Sequence, residues 1–151
     1  MKGENMVRDY LMQSVKIRQK ISYLKERAEK LEADLGYHPM QLDDSGASHL
    51  NYRGDKLCEN ASEIADLEAE WQSARIELEK KNNEIRSFIE RLDNAEYVEV
   101  LTQRYIVENK RYPARLNSWV AIAFKLGLTS EEAVKQKHKR AIRMLEKNIS
   151  A

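Results

Sequence analysis

An all-α chain is what this sequence predicts, and three observations predict it. Only five Gly and two Pro punctuate 151 residues, too few breakers for a sandwich or barrel. Charged residues make up 34% and aromatics 7%, the composition of long solvated helices. Apolar residues recur over long stretches at alternating steps of three and four, the period of a helix face. The single cysteine, Cys58, excludes an internal disulfide framework and a multi-cysteine zinc site. With no long uncharged apolar run and no apolar core after the N-terminal charges, neither a membrane span nor secretion is expected, and the location implied is cytoplasmic.

The first helix is expected over residues 5–35. Ile17, Ile21, Leu24, Ala28, Leu31 and Leu35 are spaced 4, 3, 4, 3, 4, a heptad seam. Val7 and Leu11 begin the stripe and Ser14 interrupts it. Gly36 is the expected C-terminal cap, with Pro39 close behind. Residues 36–55 hold three of the five glycines and no period, so a long loop is expected there. Its Arg53-Gly54-Asp55 is read as chance.

A second helix is expected over 56–92. Its stripe is Leu57, Ala61, Ile64, Leu67, Trp71, Ala74, Leu78, Ile85, Phe88 and Leu92. Two such helices joined by a loop form a long antiparallel hairpin, a coiled coil covering residues 1–92. At 1.5 Å per residue the second reaches about 54 Å, more than one partner helix covers. The pair is either self-contained or recruits a second chain through its open seam. The homodimer is the favoured reading, because two helices alone bury little area.

Residues 93–151 form the second expected domain. Asp93-Asn94-Ala95-Glu96 resembles a capping box opening a helix over 94–109, with Tyr97, Val100, Leu101 and Tyr105 on one face. Lys110 to Leu116 is a basic break around Pro113. Asn117 is the expected cap of a short helix from Ser118 to Leu126, whose core face is Trp119, Ile122, Ala123 and Leu126. Gly127 ends it. Thr129-Ser130-Glu131-Glu132 is a second capping box, opening a last helix to Asn148.

The net charge of +1 conceals an asymmetry. Residues 1–103 carry 15 Lys/Arg against 21 Asp/Glu, whereas 104–151 carry 11 against 4. Opposite charges in two parts of one chain point to different partners.

The segment 118–145 has the layout of a helix-turn-helix. Ala123 is small where two helices cross, Gly127 supplies the bend, Leu128 plugs the gap, and Val134, Ala141 and Leu145 face inward. Lys135, Gln136, Lys139, Arg140 and Arg143 are left facing outward. Lys and Arg neutralise phosphates, and Gln and Arg make paired hydrogen bonds to base edges in the major groove. The expected DNA-binding set is Lys125, Lys135, Gln136, Lys139, Arg140 and Arg143, with Lys110, Arg111 and Arg115 of the basic break.

On Ile122-Ala123, Leu126-Gly127, Thr129, Val134, Lys139-Arg140-Ala141 and Leu145, the stretch Asn94 to Leu145 resembles region 4, the promoter-reading domain of primary sigma factors. Glu96-Tyr97 and Leu101-Thr102-Gln103-Arg104-Tyr105 match the first half of that domain. The whole chain resembles a family of small phage and prophage proteins of Gram-positive bacteria, which join an N-terminal coiled coil to such a helix-turn-helix. The resemblance implies a DNA-binding transcription regulator working in a bacterial host cell. Two departures stand out. The turn from Gly127 to Val134 is one residue longer than the sigma pattern, and about eight residues are inserted around 110–116. That insertion is either a grip on a phosphate backbone or minor groove or a tolerated surface loop.

Other chemistry is weakly represented. His38, His49 and His138 lack metal-ligand spacing, and no phosphate-cradling glycine loop or nucleophile elbow is present. His138 is expected to be half-buried or to contact phosphate, and Cys58 to pack as a small hydrophobe. No catalytic residue, metal or cofactor is expected. The competing function is a protein-binding modulator of bacterial RNA polymerase or of a host defence protein, since region-4-like domains of sigma factors also dock on polymerase.

Overall fold

The computed structural model describes residues 2–37 and 47–150, with side chains over 3–34 and 58–149. Among the described residues all regular structure is helical: α1 (Lys2–Tyr37), α2 (Ala47–Ile89), α3 (Ala95–Leu101), α4 (Trp119–Leu126) and α5 (Glu131–Ser150). Thr102–Ile106 continues α3 as one wide π-helical turn.

The two long helices run into the stretch expected to be a loop. α1 passes Gly36 and ends at Tyr37, and α2 begins at Ala47 rather than 56. Adding a residue to an existing helix fixes one backbone position for one hydrogen bond, so propagation tolerates Gly54 and Asn51 where nucleation would not. Pro39 and residues 38–46 lie outside the described residues.

All three short-helix starts fall one residue later than expected. Asn94 caps α3, its side chain accepting from the N–H groups of Glu96 and Tyr97. Ser118 caps α4 by accepting from Ala121 N–H, and Ser130 caps α5 by accepting from Ala133 N–H at 3.2 Å. In each case two adjacent residues are competent to cap, and the fold rather than the local sequence selects between them.

The chain forms two compact units, Met1–Gln19 with Glu77–Ala151, and Lys20–Ile76. In the first, Val7 and Leu11 of α1 meet Ile85, Phe88 and Ile89 of α2, Leu101, Tyr105 and Ile106, and Ala141, Ile142 and Leu145 of α5. Enclosing a Leu or Ile side chain contributes about 2 kcal/mol. Val100, Ile122, Ala123 and Val134 form a second buried cluster, with Trp119, Leu126 and Leu128 packed against it.

Ser14 does not interrupt the α1 stripe. It is 0% exposed, and Arg18 one turn on is 3% exposed, so the stripe Val7, Leu11, Ser14, Arg18 keeps heptad spacing with two polar members. Arg18 Nη1 donates to the Ile106 carbonyl at 3.0 Å. That carbonyl ends the π turn, where no helical N–H follows to satisfy it and a cation is favoured. Burial draws the Arg18 pKa below its ordinary value, and the Glu108 carboxylate opposes the shift.

In the second unit, Leu24 packs with Leu67 and Ala74, flanked by half-buried Ile21, Ala28, Leu31 and Trp71. Arg27 pairs with Glu63 at 2.8 Å, and Arg75 lies 5.0 Å over the Trp71 ring. Ala61, expected on the stripe, is exposed.

Candidate nucleic-acid interface

α4, the turn and α5 are locally encoded. α4 closes in a Schellman motif: Gly127 N–H donates to the Phe124 carbonyl at 3.3 Å and Leu128 N–H to the Ala123 carbonyl at 2.9 Å. Gly127 takes the left-handed conformation, φ +69°, which a Cβ would strain. Leu128 then packs against the cluster containing Ala123, the hydrophobic contact that accompanies this cap. Ser130, Glu131 and Glu132 suit the positive end of α5.

One face of α5 is buried through Val134, His138, Ala141, Ile142 and Leu145. The expected reading residues Lys135, Gln136, Lys139, Arg140 and Arg143 are all exposed, as are Lys125 on α4 and Lys110, Arg111 and Arg115 in the loop. Two are engaged internally. Lys135 pairs with Glu131 at 3.0 Å, and Arg143 with Glu4 at 3.2 Å. Lys137, outside the expected set, pairs with Glu96 of α3. No carboxylate partner holds Lys125, Lys139 or Arg140 among the described residues.

Beneath this face lies a polar network whose residues come from separate elements. His138 Nε2 is 2.7 Å from the Tyr105 hydroxyl, and its ring meets Trp119 edge-on at 4.9 Å. Burial first, then the charges of Arg8 and Arg104, lower the His138 pKa to about 4. The imidazole is therefore neutral at pH 7 and packs inside rather than contacting phosphate. Burial likewise raises the Tyr105 pKa above its usual value. Arg104 lies 3.9 Å over the Trp119 ring and donates to the Asn117 carbonyl. Asn117, expected as a cap, instead donates through Nδ2 to the carbonyls of Gln103 and Val107 at 2.7 and 2.8 Å. Those carbonyls lie at the π turn, where the α-helical ladder is broken.

Sequence reasoning missed Ile142, Ile89, Arg18 and the double role of Asn117. Ile142 stands four residues after His138 and three before Leu145, on the same side of the helix, so a wider apolar face would have signalled it. Cys58 is an exposed free thiol rather than a packed one. His38 lies outside the described residues, as do the side chains of His49 and of Arg53-Gly54-Asp55. Among the described residues no cluster of three His, Cys, Asp or Glu is placed to hold a metal, and no helix is long and apolar enough to cross a membrane. Comparison of the chain with models of protein families, with characterised proteins and with solved structures returned no match.

Proposed function

We propose that the chain is a DNA-binding transcription regulator of phage type, with α4, the Gly127 turn and α5 as a helix-turn-helix that resembles sigma region 4. The observation that carries this reading is the division of α5: an apolar face packed inward, and Lys135, Gln136, Lys139, Arg140 and Arg143 together on its exposed side. Lys125, Lys135, Lys139 and Arg143 supply phosphate contacts, and Gln136 and Arg140 read base edges. The long acidic helices form a coiled coil that pairs two protomers and sets two reading heads on a two-fold or repeated site.

Titration of a labelled duplex at rising salt tests the reading. Steep loss of affinity with salt is expected, since each neutralised phosphate releases a counterion. Replacing Lys139 and Arg140 together with Ala should weaken binding at least tenfold, about 1.4 kcal/mol, with helix content unchanged. No binding at low salt refutes it.

One observation favours a second reading. Val120 and Phe124, one turn apart on α4, are 61% and 89% exposed, an apolar pair that phosphate contacts do not require. A protein-binding modulator, acting on bacterial RNA polymerase or a host defence protein, would use such a face. Polymerase subunits retained from host lysate after nuclease treatment would favour this reading.

A further inference from the structure

The loop between the π turn and α4 is held at both ends. Asn109 Oδ1 accepts from the N–H groups of Arg111 and Tyr112, each at 3.0 Å. Its Nδ2 reaches the Leu116 carbonyl at 3.5 Å, and Asn117 fastens the far end to the Gln103 and Val107 carbonyls. Between them Arg115 N–H donates to the Tyr112 carbonyl at 2.9 Å, closing a turn over Pro113-Ala114.

In this frame the exposed Tyr112 ring serves two cations. The guanidinium of Arg111 lies 5.5 Å from the ring centroid and that of Arg115 4.5 Å. Sharing one ring places the two charges within about 10 Å of each other. That separation lets the two cations meet neighbouring phosphates of one strand. Lys110 beside them is also exposed, and the loop's one carboxylate, Glu108, acts on buried Arg18. Holding like charges together on a surface costs free energy unless an anion meets them. A loop kept only for connection has no need of that cost, nor of two asparagines to fix it.

We propose that residues 109–116 are a preformed clamp on the phosphate backbone of duplex DNA, with Tyr112 the platform that holds Arg111 and Arg115 ready to grip. The inference rests on the reading of α4 and α5 as a DNA-binding unit and adds to it a sequence-independent hold. Planar guanidinium forks match phosphate oxygens in paired hydrogen bonds, and stacking on a ring lowers the side-chain entropy lost on binding.

The test uses the full chain and a labelled duplex, with affinity measured from about 50 to 300 mM salt. Replacing Arg111 and Arg115 together with Ala should lower the slope of log affinity against log salt by about 1.8, two phosphates' worth. Tyr112→Ala keeps every charge and should still weaken binding about threefold, because the two arginines lose their platform. Tyr112→Phe, which keeps the ring, should bind like the wild type. An unchanged slope in the double variant, with the wild type binding, overturns the clamp and leaves α5 as reader. Tyr112→Ala binding as the wild type does overturns the platform. A wild-type chain that binds no duplex at low salt overturns the clamp and the DNA-binding reading together.

Discussion

In the unit Met1–Gln19 with Glu77–Ala151, Leu11, Ile85, Ile89, Leu101, Ile142 and Leu145 are fully enclosed. In Lys20–Ile76 the best-covered large side chains among the described residues, Leu24, Ile64 and Leu67, are 4%, 9% and 9% exposed, and Ile76 lies open. Number of helices explains the contrast. Two helices cover one stripe of each other, whereas the first unit adds α3, α4 and α5 and closes a core on several sides. Charge follows the same division. The first unit has 19 Lys/Arg against 13 Asp/Glu, and the second 7 against 12. Fully enclosed side chains and net positive charge thus concentrate in one unit, and the acidic pair retains a seam less fully covered, which suits the proposed pairing of protomers.

The largest expected effect probes that contrast. Leu145→Ala should cost about 4 kcal/mol and Leu24→Ala about 2, because a site between two helices collapses around the gap more readily than one enclosed on several sides; urea unfolding measures both. Equal losses would break the distinction between the units.

Acid should act next, through the first unit. His138 has a pKa of about 4 in the folded chain and an ordinary value of about 6.5 when unfolded. Between those values the unfolded state binds more protons, so stability falls as pH drops from 6.5 to 4 and this contribution is flat above. The loss should total about 3 kcal/mol below pH 4, and about 2 by pH 5. His138→Gln should remove that part of the pH dependence. An identical profile in the variant would show that the imidazole is not held neutral.

Asn117→Ala should cost about 2 kcal/mol by orphaning the Gln103 and Val107 carbonyls, with thermal unfolding as the measure. A smaller loss, about 1 kcal/mol, is expected for Gly127→Ala. A Cβ there meets nothing within 4 Å, so only the positive φ opposes it. A larger loss would show that the turn is packed more tightly than its open surroundings indicate.

The helices were legible because periodic stripes and capping residues are local signals. α4, Gly127 and the inward residues of α5 stand where the spacing puts them. The caps were legible only to one residue, since Asp93-Asn94, Asn117-Ser118 and Thr129-Ser130 each offer two acceptors in succession. At Asn117 the reason is visible: its side chain is committed to carbonyls ten and fourteen residues away. Arg18 was not legible as part of the stripe because the carbonyl it satisfies lies 88 residues further on. The exposed cations were also readable from spacing, as the outer face of an amphipathic helix. What spacing did not reveal is the frame beneath them: the His138, Tyr105 and Trp119 contacts, and the two arginines on Tyr112. Each needs elements or loop turns brought together by the fold.

Light scattering of the chain, alone and with random duplex DNA at low salt, tests the central claim most directly. If the acidic helices pair protomers and the basic unit holds duplex, the mass without DNA is that of two 17.7 kDa chains, about 35 kDa, and a larger complex forms once duplex is added. A single-chain mass that duplex leaves unchanged would contradict it.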